Sequence, residues 1–148
     1  MNPTQVDILL VDDSQEDVDL ALHALRGENL ANRIFIARDG EEALDFLFCT
    51  GPHAGRSFDD PPKLVLLDLK LPKVDGLEVL RNIRASDKTA LLPVVVLTSS
   101  DEERDIVSSY RLGVNSYIRK PVNFTDFAEA TRQLGMYWLL LNQCPPPQ

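Results

Sequence analysis

Residues that commonly build extracellular scaffolds or nucleic-acid surfaces are scarce in this chain of 148 residues. It has only two cysteines, Cys49 and Cys144, which is too few for a disulfide framework or a cysteine metal site. Lys and Arg together number 15 against 23 Asp and Glu, giving a net charge of -8. Because nucleic-acid phosphates are bound by clustered cations, this balance disfavours DNA or RNA as a partner.

Long hydrophobic runs are also missing. The longest run, Met136 to Leu141, is far shorter than the roughly 20 residues of a membrane-spanning helix. The N-terminal segment has no basic flank and soon reaches Asp12 and Asp13, which does not fit a secretory signal. We therefore expect a cytoplasmic protein with no membrane partner. A hydrophobic content of 44% can supply the core of one domain, so we expect a single domain, 1–148, with its core at about 6–134 and an extension at 135–148.

Short apolar runs rich in Val and Ile alternate with segments of helical periodicity, a pattern that predicts a parallel sheet joined by crossover helices. The middle runs lack polar alternation, as expected of strands covered on both faces. The predicted strands are Val6 to Val11, Arg33 to Ala37, Leu64 to Leu67, Val94 to Leu97 and Ser116 to Ile118.

Five helices are predicted between and after these strands. Ser14 caps the first helix and Gly27 ends it; the second runs from Asp39 to about Phe48. The third follows Asp75, the fourth spans about Glu102 to Leu112, and the fifth begins after Asn123. The Gly- and Pro-rich segment from Cys49 to Pro62 is predicted to be a long loop, and the tail from Cys144 to Gln148 to be disordered.

Polar residues follow four of the five predicted strands. Ligands of an open parallel sheet bind beyond the carboxyl ends of its strands, so these residues are the candidates for chemistry. They are Asp12 and Asp13 after the first strand, Asp68 after the third, Thr98 after the fourth and Lys120 after the fifth. Three carboxylates, a hydroxyl and an amine therefore share one edge of the sheet.

Three neighbouring carboxylates need a cation. Each pair at about 4 Å repels by roughly 4 kcal/mol at an effective dielectric near 20, and Lys120 neutralises only one charge. Mg2+ fits best, because it prefers oxygen ligands and binds through one or two carboxylates, waters and phosphate oxygens. Asp68, on the central strand, is then the candidate nucleophile for an aspartyl phosphate. Taken singly, each of these residues has a simpler interpretation as a strand end, a turn or a helix cap; their joint placement favours a site.

Four segments resemble the receiver domains of two-component response regulators, in the family's order and spacing. The resemblance covers the chain from Val6 to about Leu134. The segments are ILLVDDS at Ile8 to Ser14, LVLLDLKLPKVDG at Leu64 to Gly76, VVVLTSS at Val94 to Ser100 and YIRKP at Tyr117 to Pro121. The resemblance implies a flavodoxin-like, doubly wound five-stranded parallel sheet of strand order 2-1-3-4-5, here with an extended C-terminal helix.

The resemblance also implies a role for each residue. Asp68 accepts a phosphoryl group from a sensor histidine kinase, and the chain is a signalling switch rather than an enzyme. Asp13, Asp68 and the backbone carbonyl of Lys70 ligate Mg2+, and Asp12 helps through water. Lys120 pairs with the phosphoryl oxygens, and the Lys120-Pro121 peptide is cis. Two residues carry the switch: Thr98 moves toward the phosphoryl group and Tyr117 rotates inward. The charge at Lys70 leaves the phosphoryl lifetime open.

A narrower resemblance rests on the Cys49 to Pro62 loop, the KPVNFTDF segment from Lys120 to Phe127 and the apolar extension. These features look like the stand-alone response regulators of phytochrome sensor kinases, which implies red-light signalling, although other kinases also use stand-alone receivers. The extension is apolar on every side of a helix and must bury its far side. We expect a homodimer with Tyr137, Trp138 and Leu141 in the interface; the alternatives are that the extension folds back onto its own domain or packs against a partner protein.

Two other classes of protein remain as alternatives. A phosphatase of the haloacid-dehalogenase type also uses an Asp nucleophile and Mg2+, but it expects a second Asp two positions later, where this chain has Lys70. A flavin or nucleotide carrier expects a Gly-rich phosphate loop after the first strand, where this chain has Asp12, Asp13 and Ser14.

Overall fold

The structure, a computed structural model, describes residues 6–27, 33–100, 102–120 and 124–143. Within these residues, five strands and five α-helices alternate along the chain. The strands are β1 (Ile8–Val11), β2 (Ile34–Ala37), β3 (Leu64–Leu67), β4 (Val94–Thr98) and β5 (Ser116–Arg119). The helices are α1 (Gln15–Gly27), α2 (Gly40–Phe48), α3 (Gly76–Ala85), α4 (Glu103–Arg111) and α5 (Phe124–Gly135).

The strands form one parallel sheet in the order β2-β1-β3-β4-β5, so the predicted flavodoxin-like fold is confirmed. β1 pairs with both β2 and β3, which places Leu10 beside Ile36 on one side and Leu66 on the other. Every residue of β1, β3 and β4 is buried, whereas the edge strands β2 and β5 are only partly covered. The lack of polar alternation in the central strands is explained by this two-sided burial.

Two hydrophobic cores lie on opposite faces of the sheet. Alternate residues of β1 enter different cores: Leu9 and Val11 belong to one, Ile8 and Leu10 to the other. α2 packs against α3 on the first face, and α1 packs against α5 on the second. The helices thus cover the sheet and leave its carboxyl edge as the place where loops and helix N-termini meet.

Glycine is required at the connection between β3 and α3. A Cβ on Gly76 would lie 2.3 Å from the backbone oxygen of Asp68 and 2.5 Å from Cα of Leu69. Gly76 is also the first residue of α3. The residue before it, Asp75, caps the helix by accepting a hydrogen bond from the Glu78 amide at 3.0 Å. The segment that carries Asp68 is therefore packed directly against the start of α3.

The segment from Cys49 to Pro62 is a loop as predicted, with one turn of 3-10 helix at Gly51–His53. Arg56 fastens it to the domain. Its guanidinium lies 3.6 Å from the ring centroid of Phe46 and donates hydrogen bonds to the carbonyls of Phe46 and Asp60. The loop is thus attached through a cation and an aromatic ring as well as through its backbone.

The C-terminal extension differs from the plain helix that the sequence predicts. α5 ends at Gly135, and Met136–Leu141 continues it as a π-helical turn; the amide of its C-cap residue, Asn142, donates to the Tyr137 carbonyl at 2.7 Å. No described helix is both long and apolar enough to cross a membrane. The predicted disordered tail, 144–148, lies outside the described residues.

Element boundaries agree with the prediction to within two residues, and β3 agrees at both ends. β1 begins at Ile8 rather than Val6, and β2 at Ile34 rather than Arg33. The Arg33 carbonyl accepts hydrogen bonds from the amides of both Asp7 and Ile8, at 2.8 and 3.3 Å. This shared acceptor marks the point where regular ladder pairing starts.

Candidate functional site

The carboxylates predicted from the strand ends meet at the carboxyl edge of the sheet. Oxygen atoms of Asp12, Asp13 and Asp68 all lie within 4.8 Å of one another. Asp12 and Asp68 are buried, whereas Asp13 is exposed. The cluster is therefore closed toward the sheet and open toward solvent.

Among the residues that the structure describes, one ammonium lies between these carboxylates. Lys120, directly after β5, donates hydrogen bonds from Nζ to Oδ2 of three aspartates. The distances are 2.7 Å to Asp12, 2.7 Å to Asp17 and 3.0 Å to Asp68. Burial alone would lower the pKa of Lys120, but the hydrogen bonds to Asp12 and Asp17 and the charge of Asp68 outweigh it and raise the pKa above its ordinary value. Lys120 is charged at neutral pH.

The cluster has more negative charge than this ammonium offsets. Burial raises the pKa of Asp12 above its ordinary value, even though Lys120 and the Ser14 amide donate hydrogen bonds to its carboxylate. Additional positive charge beside Asp12 would stabilise its ionised carboxylate. Because all the side-chain ligands offered are carboxylate oxygens, the cluster fits a hard divalent cation.

Asp68 is held in one orientation by donors from three segments. Its Oδ1 accepts from the Thr98 hydroxyl at 2.7 Å and from the Lys70 amide at 3.3 Å, and its Oδ2 accepts from Lys120. Thr98 is fully buried, and its carbonyl accepts the Lys120 amide at 2.7 Å. The last residue of β4, the first residue after β5 and the β3–α3 connection thus all converge on Asp68.

Tyr117 lies beside this group on β5. Its hydroxyl donates to the carbonyl of Ser100 at 2.8 Å, so the half-buried ring is tied to the loop that follows β4. Tyr117, which the sequence predicts to be a switch residue, is therefore bound to the loop that follows Thr98. The Lys120-Pro121 peptide, expected to be cis, lies outside the described residues.

The family model for the response regulator receiver domain matches residues 8–132, which is most of the chain. The chain belongs to the response regulator receiver family. The hypothesis of a two-component signalling protein is thereby confirmed over those of a dehalogenase-type phosphatase and a nucleotide carrier. The five site positions lie within the matched range.

Three relatives show how closely other members resemble this receiver. Response regulator Rcp1 of Synechocystis is 40% identical over 93% of this chain and 91% of its own length. A crystal structure of its Mn(2+)-bound form superposes with a TM-score of 0.87, at 38% identity over 93% of this chain and 97% of that chain.

The other two are solved structures of phytochrome-associated proteins. The phosphorylated cyanobacterial phytochrome response regulator RcpA has a TM-score of 0.89 and 37% identity, covering 96% of this chain and 99% of that one. The bacteriophytochrome response regulator AtBRR is 52% identical with a TM-score of 0.73, covering 95% of this chain and 100% of that one.

Lys70 has two different relationships to the site of this receiver. Its amide contacts Asp68, but its ammonium lies 3.8 Å from Asp105 of α4, and its side chain is 61% exposed. The charge two positions after Asp68 is therefore directed to α4 in this structure.

The three residues predicted for a dimer interface lie away from this site, on the extension. Tyr137 and Leu141 are 50% and 69% exposed. Trp138 is half-buried and packs, with Leu139, against the core that contains α1 and α5. Trp138 thus folds back onto its own domain, whereas Tyr137 and Leu141 face outward.

Sequence reasoning missed two carboxylates near the site of the receiver. Asp17, in the first turn of α1, contacts Lys120, and Asp105, in the first turn of α4, contacts Lys70 and Ser100. A signal existed for Asp17: Ser14 caps α1 by accepting the Asp17 amide at 3.3 Å, which sets this side chain at the sheet edge. No comparable pattern marks Asp105.

Proposed function

We propose that this receiver is switched by phosphorylation of Asp68 by a sensor histidine kinase of the phytochrome type. The observation that carries the proposal is the set of donors on Asp68: Thr98 and the Lys70 amide on one oxygen, Lys120 on the other. These donors orient the carboxylate and lie where negative charge develops during phosphoryl transfer.

Mg2+ is the proposed cofactor. Asp13, Asp68 and the backbone carbonyl of Lys70 would hold it directly, and Asp12 would do so through water. When bound, the ion supplies positive charge to the phosphoryl oxygens and relieves the repulsion among the carboxylates. Two observations support this assignment: the clustered oxygens of the three aspartates, and the Mn(2+)-bound form of Rcp1.

In the proposed reaction, a carboxylate oxygen of Asp68 attacks the phosphorus of a phosphohistidine. The new P–O bond forms as the P–N bond breaks, and the imidazole leaves with the electron pair of that bond. Lys120 already contacts Asp68 and can pair with the incoming phosphoryl oxygens by a small movement of Nζ. The protein contributes the nucleophile, the positioning of these groups and the offsetting charge.

The proposed switch runs through Thr98 and Tyr117. When the Thr98 hydroxyl turns from the Asp68 carboxylate to a phosphoryl oxygen, the loop after β4 follows it. Tyr117 is bound to that loop through the Ser100 carbonyl, so its ring is released to rotate inward. Phosphorylation would therefore change the surface formed by α4 and β5.

The kinase assignment rests on the relatives. RcpA is described as a cyanobacterial phytochrome response regulator and AtBRR as a bacteriophytochrome response regulator, and this chain covers nearly the whole length of both. We therefore infer a red-light sensor kinase as the phosphoryl donor and protein partner.

We also infer a homodimer through the extension. Met136, Tyr137 and Leu141 are large side chains that the extension leaves exposed. Aromatic and large apolar side chains are the types that carry interface free energy. A second copy of the chain would cover this surface symmetrically.

The decisive experiment is titration of the full chain with beryllofluoride, a phosphoryl mimic, with and without Mg2+. Calorimetry should show binding that requires Mg2+ and is lost in Asp68→Asn. The exposed Asp87→Asn is the matched control and should bind as the wild type does. Equal binding by Asp68→Asn would overturn the site assignment.

Phosphotransfer tests the partner. A purified bacteriophytochrome kinase carrying labelled phosphate should transfer it to the wild type within minutes and not to Asp68→Asn. A sensor kinase without a photoreceptor domain serves as the comparison. Faster transfer from the comparison kinase would contradict the phytochrome assignment and leave Asp68 as the acceptor.

A further inference from the structure

Asp105 is a buried carboxylate that the proposed reaction does not use. It is the third residue of α4 and only 7% exposed. Burying a carboxylate is unfavourable unless it is hydrogen-bonded and paired, so its partners indicate why it is there. Those partners are Ser100 in the loop after β4 and Lys70 in the loop after β3.

The hydroxyl and the carbonyl of Ser100 make three hydrogen bonds in this loop. Its hydroxyl donates to Asp105 Oδ2 at 2.6 Å and accepts the amide of Glu102 at 3.4 Å. Its carbonyl accepts the Tyr117 hydroxyl at 2.8 Å. The N-cap residue Glu102 provides no side-chain cap; its own amide is bound by the Ser100 hydroxyl, and that hydroxyl is in turn bound to Asp105 of the first turn.

The contacts close into a ring that passes through Asp68. The Thr98 hydroxyl donates to Asp68 and accepts the Ser100 amide at 3.4 Å. From Ser100 the ring runs to Asp105, and from Asp105 to the Lys70 ammonium at 3.8 Å. The Lys70 amide returns it to Asp68. We call Lys70, Ser100 and Asp105 the α4 clamp.

We propose that Asp105 is a positioning residue that opposes phosphorylation of Asp68 through the α4 clamp. Asp105 holds the Lys70 ammonium toward α4. Without Asp105, a phosphoryl group on Asp68 would attract this ammonium toward itself. Asp105 also holds the loop of Ser100, which must move when Thr98 turns to the phosphoryl oxygens. This inference rests on the proposed function, because it assigns a regulator to the same site.

The two arms of the clamp differ in strength. The bond from Ser100 to Asp105 is short and buried, whereas Lys70 is mostly exposed at 3.8 Å and its pairing is screened by water. Most of the restraint is therefore expected from Ser100, with Lys70 contributing the smaller part. Loss of the Ser100 contact should change the binding of a phosphoryl mimic more than loss of charge on Asp105 alone.

The test is beryllofluoride affinity of the full chain in saturating Mg2+, measured by calorimetry. Asp105→Ala removes both arms and should tighten binding about five-fold, the change that corresponds to one lost hydrogen bond. Asp105→Asn keeps an acceptor for Ser100 and should tighten it about two-fold. Ser100→Ala should approach the effect of Asp105→Ala. A carboxylate that only caps a helix would leave the affinity unchanged or lower it.

Glu78→Gln is the matched control, because Glu78 is the third residue of α3, as Asp105 is of α4. It should leave the affinity unchanged. A double variant tests the Lys70 arm: Lys70→Ala combined with Asp105→Ala should retain only part of the five-fold gain, because no ammonium is left to release.

The outcomes separate this inference from the proposed function. A wild-type protein that binds no beryllofluoride in Mg2+ overturns the proposed function. Wild-type binding with unchanged or weakened affinity in folded Asp105→Asn and Ser100→Ala overturns only the clamp. Should Asp105→Ala fail to fold by circular dichroism, those two milder variants decide the matter.

Discussion

The ammonium of Lys120 lies as close to Asp17 Oδ2 as to Asp12 Oδ2, at 2.7 Å in both cases. Asp17 belongs to α1 and not to the strand ends where the other carboxylates lie. It therefore shares Lys120 with Asp68 and would compete with the proposed phosphoryl group on Asp68.

The first prediction follows from this competition. Asp17→Asn should tighten beryllofluoride binding in Mg2+ by about two- to five-fold, because one negative charge and one partner of Lys120 are removed. Asp19→Asn, on an exposed position of the same helix, should not change it. Weaker binding by Asp17→Asn in calorimetry would mean that Asp17 positions Lys120 rather than competing for it.

Metal binding should stabilise the fold. Mg2+ at 100 times its dissociation constant is expected to raise the free energy of unfolding by about 2.7 kcal/mol, because the ion binds the folded carboxylate cluster and not the unfolded chain. Thermal unfolding in Mg2+ and in EDTA measures the difference. Asp13→Asn should lose most of it, whereas Asp87→Asn should keep it; an equal gain in both variants would place the ion elsewhere.

Gly76 offers a test of the packing behind Asp68. Gly76→Ala should lower the free energy of unfolding by about 1–3 kcal/mol, since its Cβ has no room beside the Asp68 carbonyl. At Gly55 a Cβ would meet nothing within 4 Å, so Gly55→Ala is the matched control and should be neutral. Urea unfolding compares the two, and similar stabilities would contradict the close approach.

The extension requires substitutions that separate folding from assembly. Trp138→Ala should destabilise the domain itself by about 2 kcal/mol, because the indole packs against the core. Leu141→Glu should convert the proposed dimer to a monomer in light scattering. At dilutions where both proteins are monomeric it should leave unfolding unchanged, because Leu141 is 69% exposed. A dimer that persists in both Leu141→Glu and Tyr137→Glu would move the interface to another surface.

The sheet and most of the site could be predicted from the sequence, because strand ends in a parallel sheet are defined by local apolar runs. The strand predicted at Leu64 to Leu67 has the same bounds in the structure, and Asp68 follows it directly. Asp105 could not be predicted in this way. It becomes a partner of Lys70 only after α4 is packed beside the β3–α3 connection, and such packing depends on residues distant in sequence.

The extension shows a second limit. Six consecutive apolar residues do not reveal which sides of a helix are covered, and α-helical periodicity does not predict the π-helical turn at Met136–Leu141. Trp138 follows Leu134 by four residues, so helical spacing places it on the same core-facing side, where it packs against the core between α1 and α5.

Neighbouring residues of the extension should tolerate polar substitution to different degrees, because some pack on the core and others face solvent. In a library of variants selected for cellular abundance alone, polar substitutions should be depleted at Trp138 and Leu139, which pack on the core. The same substitutions should persist at Tyr137 and Leu141, which face solvent. In a selection for the proposed light-dependent signalling, Tyr137 and Leu141 should become restricted as well if they form the proposed interface. Comparing the two selections would then separate the residues needed for folding from those needed for assembly.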